Sequence, residues 1–363
     1  MSEAKPKGIS TSLVVVAIIV ALIIGVVAGY FIKPTPPAEV KTETLTKTIA
    51  TTISTTITPK KPYEGYYIIV ITGDEADPFT RPIAKGARDA AEHFGCKVDV
   101  FFSKGWADEE FLKNFRTAIS LHPDGIAICP LGGRAALEPE FDRAYKEGII
   151  VTLQNVDIPE FREKYKPYCG YIGQELYSSG YRLAETAVKK FGLKAGDRAA
   201  VFSGAWGEPE RAKRAYGAFD ALTKAGLIVD KVEHPPAVYG DPGMGTSYVA
   251  GYVSAHPDVK LIIFDGGGTT SATDTYMKAI GKKPGEIKVA GFDLTPGAIR
   301  SIKAGYLQLT LDQQPYLYGY LTTLNLLLTK KLGIMGLYID TGGGIVDETN
   351  VDLVAKLAEE GYR

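Results

Sequence analysis

Cysteine is scarce in this chain. Its three residues, Cys96, Cys129 and Cys169, show no C-x-x-C spacing, so neither a disulfide framework nor a zinc site is expected, and buried thiols are the plain reading. Histidine is nearly as rare. His93, His122, His234 and His256 fall near element ends, and none stands at metal-ligand spacing from another or beside a nucleophile. Also missing are G-x-S-x-G, H-E-x-x-H and G-x-x-x-x-G-K-[ST], which removes the sequence grounds for a serine hydrolase, a zinc peptidase or a P-loop. The expectation is a protein that is not an enzyme and holds no cofactor or metal. An excess of one charge is lacking too: 41 basic against 42 acidic residues give −1, without a long run of either sign, so no nucleic-acid footprint is seen. Side-chain amides number nine in 363 residues. Low use of these thermolabile groups is one mark of heat-adapted proteins, and it makes their placement informative.

What is present begins with an apolar run. Residues 12–32, SLVVVAIIVALIIGVVAGYFI, carry no charge, and 21 residues at about 1.5 Å of helical rise span roughly 30 Å, the thickness of a bilayer core. Residues 1–32 are therefore expected to be a signal or membrane anchor. Lys5 and Lys7 ahead of the run favour an inside N-terminus and an extracytoplasmic body, against which Lys33, Lys41 and Lys47 weigh on the other side. No A-x-A site follows the run, as an ordinary cleaved signal would need. The stretch Lys7-Gly8-Ile9-Ser10 resembles the archaeal class III, pilin-like signal, which is cut after its glycine. Residues 33–62 are rich in threonine with proline at both ends, a composition that buries no core and reads as a linker or stalk.

From Tyr63 onward short apolar runs alternate with amphipathic ones, the pattern of βα units on a mostly parallel sheet. Strands are expected over 66–72, 97–102, 125–129, 149–153, 198–203, 228–232, 260–264, 287–292 and 307–311. Helices are expected between them, among them 79–94, 208–225 and 316–331, several closed by a glycine at C′ such as Gly95, Gly192, Gly226 and Gly281. The phrase AEHFGCKVDV has a partner in LTKAGLIVDKV, each a helix end, a glycine and a new strand. Two similar doubly wound, Rossmann-like lobes follow.

Open parallel sheets bind ligands beyond the carboxyl ends of their strands. At those ends stand Asp74, Asp77 and Phe79, Gln154 and Asn155, Trp206 and Glu208 with Arg211 and Arg214 further along, Tyr239, Asp265, Asp293 and, in TLDQQPY, Gln313 beside Gln314. Four of the nine amides occupy this one class of position. Carboxylates accept, arginine donates through a rigid fork and amides do both, a set suited to neighbouring hydroxyls, while aromatic faces can cover the C–H surfaces of a sugar ring. A sugar or polyol is the expected ligand.

The runs IVITGDEADPFTRPIAKGARDAAEHFG, DGIAICP, IIVTLQN, RAKRAYGAFDALTKAG, HPDVKLIIF, VAGFDLTP and TLDQQPYLYGY resemble, over residues 66–362, the type I periplasmic binding proteins of the ribose- and galactose-binding group. Those are the solute-receiving subunits of sugar ABC importers, and with the signal described above an archaeal member is implied. The resemblance implies a monomer with two lobes, 63–174 plus 314–337 and 175–313 plus 338–363, crossing near 171–175, 313 and 338–341 and closing about a hinge. It implies as partners a sugar, a permease with its cytoplasmic ATPase, and the membrane through the N-terminal helix. It places Asp77, Phe79, Gln154, Asn155, Arg214, Tyr239, Asp293 and Gln313 in the cleft. Two departures stand out: Gln154-Asn155 replaces a charged pair, and DGGG, Asp265 to Gly268, lacks an Asn or Asp near Gly266, so the hydroxyl pattern is not that of ribose by default.

Plainer roles compete. Asp293 suits a helix cap, Arg214 a solvated helix face, Trp206 a lid over the core, Trp106 surface packing and Asp77 a turn. The clusters GDPGMG, DGGG and TGGG read as turns. The same fold class serves nucleoside binders, receptor ectodomains and LacI-like effector domains. No lipobox cysteine, cytoplasmic domain or DNA-binding segment supports those alternatives.

Overall fold

The computed structural model describes residues 61–363. The expected membrane helix and nearly all of the Thr/Pro-rich linker lie outside the described residues. Among the described residues no helix is long and apolar enough to cross a membrane.

Two six-stranded sheets share one plan. The first has β1 (Tyr67–Thr72), β2 (Lys97–Phe102), β3 (Gly125–Ile128), β4 (Ile150–Gln154), β5 (Tyr171–Gly173) and β11 (Tyr338–Asp340), ordered β11-β5-β4-β3-β1-β2 and parallel throughout. The second has β6 (Arg198–Ser203), β7 (Ile228–Glu233), β8 (Val259–Phe264), β9 (Lys288–Phe292), β10 (Leu309–Leu311) and β12 (Ile345–Val346), ordered β12-β10-β9-β8-β6-β7, with only β12 antiparallel. Central strands are apolar on both faces because helices cover both. Ile68, Ile69, Val70 and Ile71 of β1 are all fully buried, and each such side chain stabilises by about 1.5–3 kcal/mol.

The repeat seen in the sequence is a repeat of packing. In the first lobe the helix Thr80–Phe94 crosses the helix Pro315–Leu332 so closely that a Cβ on Gly86 would lie 2.0 Å from the Tyr316 carbonyl oxygen. In the second, the helix Lys213–Lys224 crosses Leu176–Phe191 in the same way, a Cβ on Gly217 falling 2.1 Å from the Tyr177 carbonyl oxygen. Gly95 and Gly226 both close their helix ends at a φ of 82° and hand over to β2 and β7.

The chain passes between lobes three times, at Gln174 and Glu175, at Asp312 to Gln314, and at Thr341 to Gly344. The third crossing comes later than the expected boundary at 338, because Tyr338–Asp340 pairs with β5 in the first sheet. The crossings are laced together. Gln174 N donates to Tyr318 Oη (3.1 Å), Tyr318 Oη donates to Gln313 Oε1 (2.8 Å), and Thr341 Oγ1 donates to the Gln313 carbonyl (2.8 Å). The helix expected from Glu208 starts only at Lys213, after a run of turns over residues 206–212.

Candidate functional site

The strands of both sheets point their carboxyl ends at one slot between the lobes. The lobes meet beside it: the Asp74 carboxylate lies 3.7 Å from where a Cβ on Gly240 would stand. The first lobe lines the slot with Asp77, Phe79, Trp106, Leu131 and Asn155. From the second come Ala205, Glu208, Arg211, Arg214, Tyr239 and Asp293 with the Gly266-Gly267 backbone, and from the hinge comes Gln313. The slot spans about 470 Å³ with its mouth included, but the centre of a water molecule finds only about 30 Å³ of it. The walls thus lie close together over most of the slot.

On the first lobe, Asp77 follows β1 and is held from two sides. Its carboxylate accepts from Phe79 N (2.9 Å) and from Trp106 Nε1 (3.0 Å). Burial, reinforced by Asp293 across the slot, outweighs these bonds and pushes its pKa up to about 7. The Phe79 and Trp106 rings lie 6.2 Å apart at 32°, and Tyr318 meets Phe79 edge-on at 5.9 Å. Trp106 reaches this place over Gly73, where any Cβ would strike its ring at 2.1 Å.

On the second lobe, Asp293 follows β9 and accepts from Gln313 Nε2. Burial raises its pKa to about 6 against the pull of the Arg214 cation. Asp293 does not cap the next helix. Thr295 does, accepting from Ala298 N at 3.1 Å. Arg214 is buried rather than solvated, stacks 4.4 Å over the Phe292 ring, donates to Gln174 Oε1 (3.3 Å) and leaves its Nε without a partner. Burial, with Arg211 beside it, pulls its pKa below the ordinary arginine value. An incoming acceptor would relieve both conditions.

Three expected site residues do not line the slot. Gln154, the last residue of β4, donates to the Ile71 carbonyl (2.9 Å) inside the first lobe, while Asn155, past the strand end at a φ of 65°, lines the slot. Trp206 faces away, its ring edge-on to Tyr216 at 5.2 Å with the Lys231 ammonium 4.9 Å above it. Asp265 stands one layer behind. It accepts from Ser203 Oγ (2.6 Å), Tyr239 Oη (2.8 Å) and Arg211 (3.3 Å), and so aims two residues that do line the slot. Burial works against its charge, but Arg211, Arg214 and the Ser203 hydrogen bond together outweigh it and hold Asp265 below the usual carboxylate range.

Arg211, Trp106 and Glu208 were not among the expected ligand contacts. Arg211 enters because the turns after Pro209 swing it over Tyr239, 5.4 Å from its ring. The glycines of DGGG are not turn residues. A Cβ on Gly266 would lie 2.5 Å from the Tyr239 ring and one on Gly267 2.4 Å from Asp293 Oδ2, so they let the slot's own wall close up. Of the five non-glycine residues with positive φ among the described residues, three line the slot: Trp106 (54°), Asn155 (65°) and Asp293 (75°). Such backbone costs on the order of 1–3 kcal/mol each and collects where a site demands it.

The periplasmic binding protein domain family matches residues 68–329. The chain belongs to this family. It is 30% identical over 295 residues to the xylose/arabinose-binding protein of Sulfolobus acidocaldarius, a match that covers 78% of this chain and 71% of that one. Among solved structures, a solute-binding protein of an ABC transporter from Burkholderia graminis in complex with D-arabinose superposes with a TM-score of 0.71 at 26% identity, over 79% of this chain and 97% of the other. A carbohydrate transporter protein from Acidothermus cellulolyticus in complex with myo-inositol gives 0.68 at 26%, over 82% and 99%.

Proposed function

We propose that the protein captures a sugar or polyol in the interlobe slot and hands it to the permease of an ABC importer, without changing it chemically. The observation that carries this reading is the pairing of hydroxyl-binding groups with aromatic faces on one narrow slot. Asp77, Asn155, Arg214, Asp293 and Gln313 accept or donate around its edge, and Phe79, Trp106 and Tyr239 present rings to it. Relatives of the same family carry names or bound ligands of one chemistry, pentoses and an inositol. The buried, half-satisfied groups around the slot, Arg214 Nε above all, are what a hydroxyl would complete.

Ligand capture requires the lobes to part. Three laced crossings restrict that motion to a hinge, with Gln313 both at the crossing and in the slot. A ligand hydroxyl on Asp293 and Gln313 therefore ties the second lobe to the hinge itself, which favours the closed arrangement. The apolar run at residues 12–32 and the threonine-rich segment after it support a protein tethered to the outer face of the cell membrane.

A thermal-shift screen of residues 61–363 against aldopentoses, aldohexoses and inositols tests the reading. A ligand at about 100 times its Kd stabilises by roughly 2.7 kcal/mol. Stoichiometric binding by calorimetry, with the sugar recovered unaltered, is expected. Turnover to a modified sugar, or no shift with any member of the panel, would refute it.

A further inference from the structure

The slot does not end at the ring it fits. On the side of Leu131, Glu208 and Arg211 it runs into a second cavity that shares these three residues with it. Measured by the room open to a water's centre, the slot offers about 30 Å³ and this vestibule about 380 Å³. Both lobes build it. The first contributes an apolar floor, with Val156 and Ile158 buried beneath it, and the second contributes Gly207 and Glu208. Its rim is polar, with Asp108, Arg134 and Glu160 facing it from the first lobe and Arg211 from the second.

We propose that the cleft accepts a sugar longer than one ring, a disaccharide whose second residue occupies this vestibule. The proposal rests on the reading of the slot as a monosaccharide site and extends it. A slot this narrow leaves little room for a substituent except through an opening, and this opening begins at side chains that already line the slot. An apolar floor under a rim of carboxylates and two guanidiniums, Arg134 and Arg211, matches a pyranose, with its C–H face down and hydroxyls outward. A flat heterocyclic base is the poorer fit, because no aromatic ring lines the vestibule for it to stack on.

Two substitutions fill the vestibule without touching the slot. Gly207→Trp starts from an exposed glycine without a positive φ, and a Cβ there meets nothing within 4 Å. Glu160→Trp enters from the other lobe at an exposed position with no salt bridge. The full chain, in a detergent without a sugar headgroup, is titrated by calorimetry with pentose and hexose monosaccharides, their α- and β-linked disaccharides, and nucleosides of the same pentoses. At least one disaccharide is expected to bind tenfold or more tightly than its monosaccharide. Each tryptophan should return that disaccharide to the monosaccharide's affinity or below, and leave the monosaccharide's Kd within twofold. If monosaccharides bind and every disaccharide binds more weakly, the vestibule is an exit path, the proposal falls and the slot stands. If the disaccharide gain survives both tryptophans, or nucleosides gain instead, the proposal also falls. Binding of nothing in the panel would remove the slot reading as well.

Discussion

Replacing Asp293 by asparagine separates binding from stability, because the two should move in opposite directions. Asparagine keeps the size of the side chain and tolerates the positive φ of 75° far better than alanine would, so the backbone is little disturbed. In the unliganded protein the carboxylate is a burden. Burial raises its pKa to about 6, against an unfolded value near 3.9, so the folded state keeps a proton that the unfolded state releases as pH climbs from about 4. Stability therefore falls between about pH 4 and 6 and stays lower above. At about 1.36 kcal/mol per unit the burden above pH 6 is on the order of 3 kcal/mol, reduced in the variant by what Arg214 loses when its counter-charge goes. In the complex the same carboxylate is an asset. A hydroxyl bonded to a charged acceptor is worth about 1.5–3 kcal/mol, or roughly ten-fold to over a hundred-fold in Kd. Asp293→Asn is thus expected to raise the midpoint of urea unfolding at pH 7.5, to gain nothing at pH 3.5, and to weaken sugar binding at least ten-fold by calorimetry. Wild-type affinity together with an unchanged unfolding midpoint at pH 7.5 would refute both halves of the reasoning.

Trp106 should report ligand and Trp206 should not, since only the first lines the slot. Trp106→Phe is expected to abolish the ligand-induced change in tryptophan fluorescence, and Trp206→Phe to preserve it. Gly267→Ala places a methyl 2.4 Å from Asp293 Oδ2 and is expected to cost binding ten-fold or more, read by calorimetry, whereas Gly251→Ala, with nothing within 4 Å, should leave Kd unchanged. The native protein is expected in the membrane fraction and a chain starting at Tyr63 in the soluble one. Mass spectrometry of the native N-terminus should find Ile9 first if the pilin-like cut is used, and a start within residues 27–33 would overturn the anchor.

The central strands were legible because strands covered on both faces are continuous apolar runs, and β1 and β6 fall where the runs do, within a residue. The strands β5, β11 and β12 have three, three and two residues. Runs that short carry no periodicity, and they owe their pairing to partners far along the chain. For the site, the clustering of rare amides pointed to Asn155 and Gln313 but drew in Gln154, which bonds inside the first lobe. Trp206 and Trp106 both follow strands, and the sequence alone does not distinguish a ring folded back over Lys231 from one laid across Gly73. Arg211 was visible at a strand end but passed over for Arg214, and the turns that bring both to the slot are not legible in the sequence. The polar residues of TLDQQPY divide their roles: Gln313 faces the slot, while Asp312 accepts from Gln314 N and Arg363, and Gln314 donates to the Thr341 carbonyl.

The way the sheets share late strands has a consequence for how the chain is made. The first lobe lacks the helix Pro315–Leu332 and its edge strand β11 until more than three hundred residues have left the ribosome, and β12 completes the second sheet only a few residues later. Until then the face of β3 and β4 that this helix covers stays uncovered, including Gly125, whose absent side chain makes room for Leu326. Neither half is a unit that closes first and waits for the other. Contacts joining residues about 230 positions apart, such as Tyr316 Oη donating to Asp89 at 3.0 Å, place the loop-closure cost at the end of synthesis and favour slow folding. The same lacing that limits the motion to a hinge makes the nascent chain dependent on its last fifty residues.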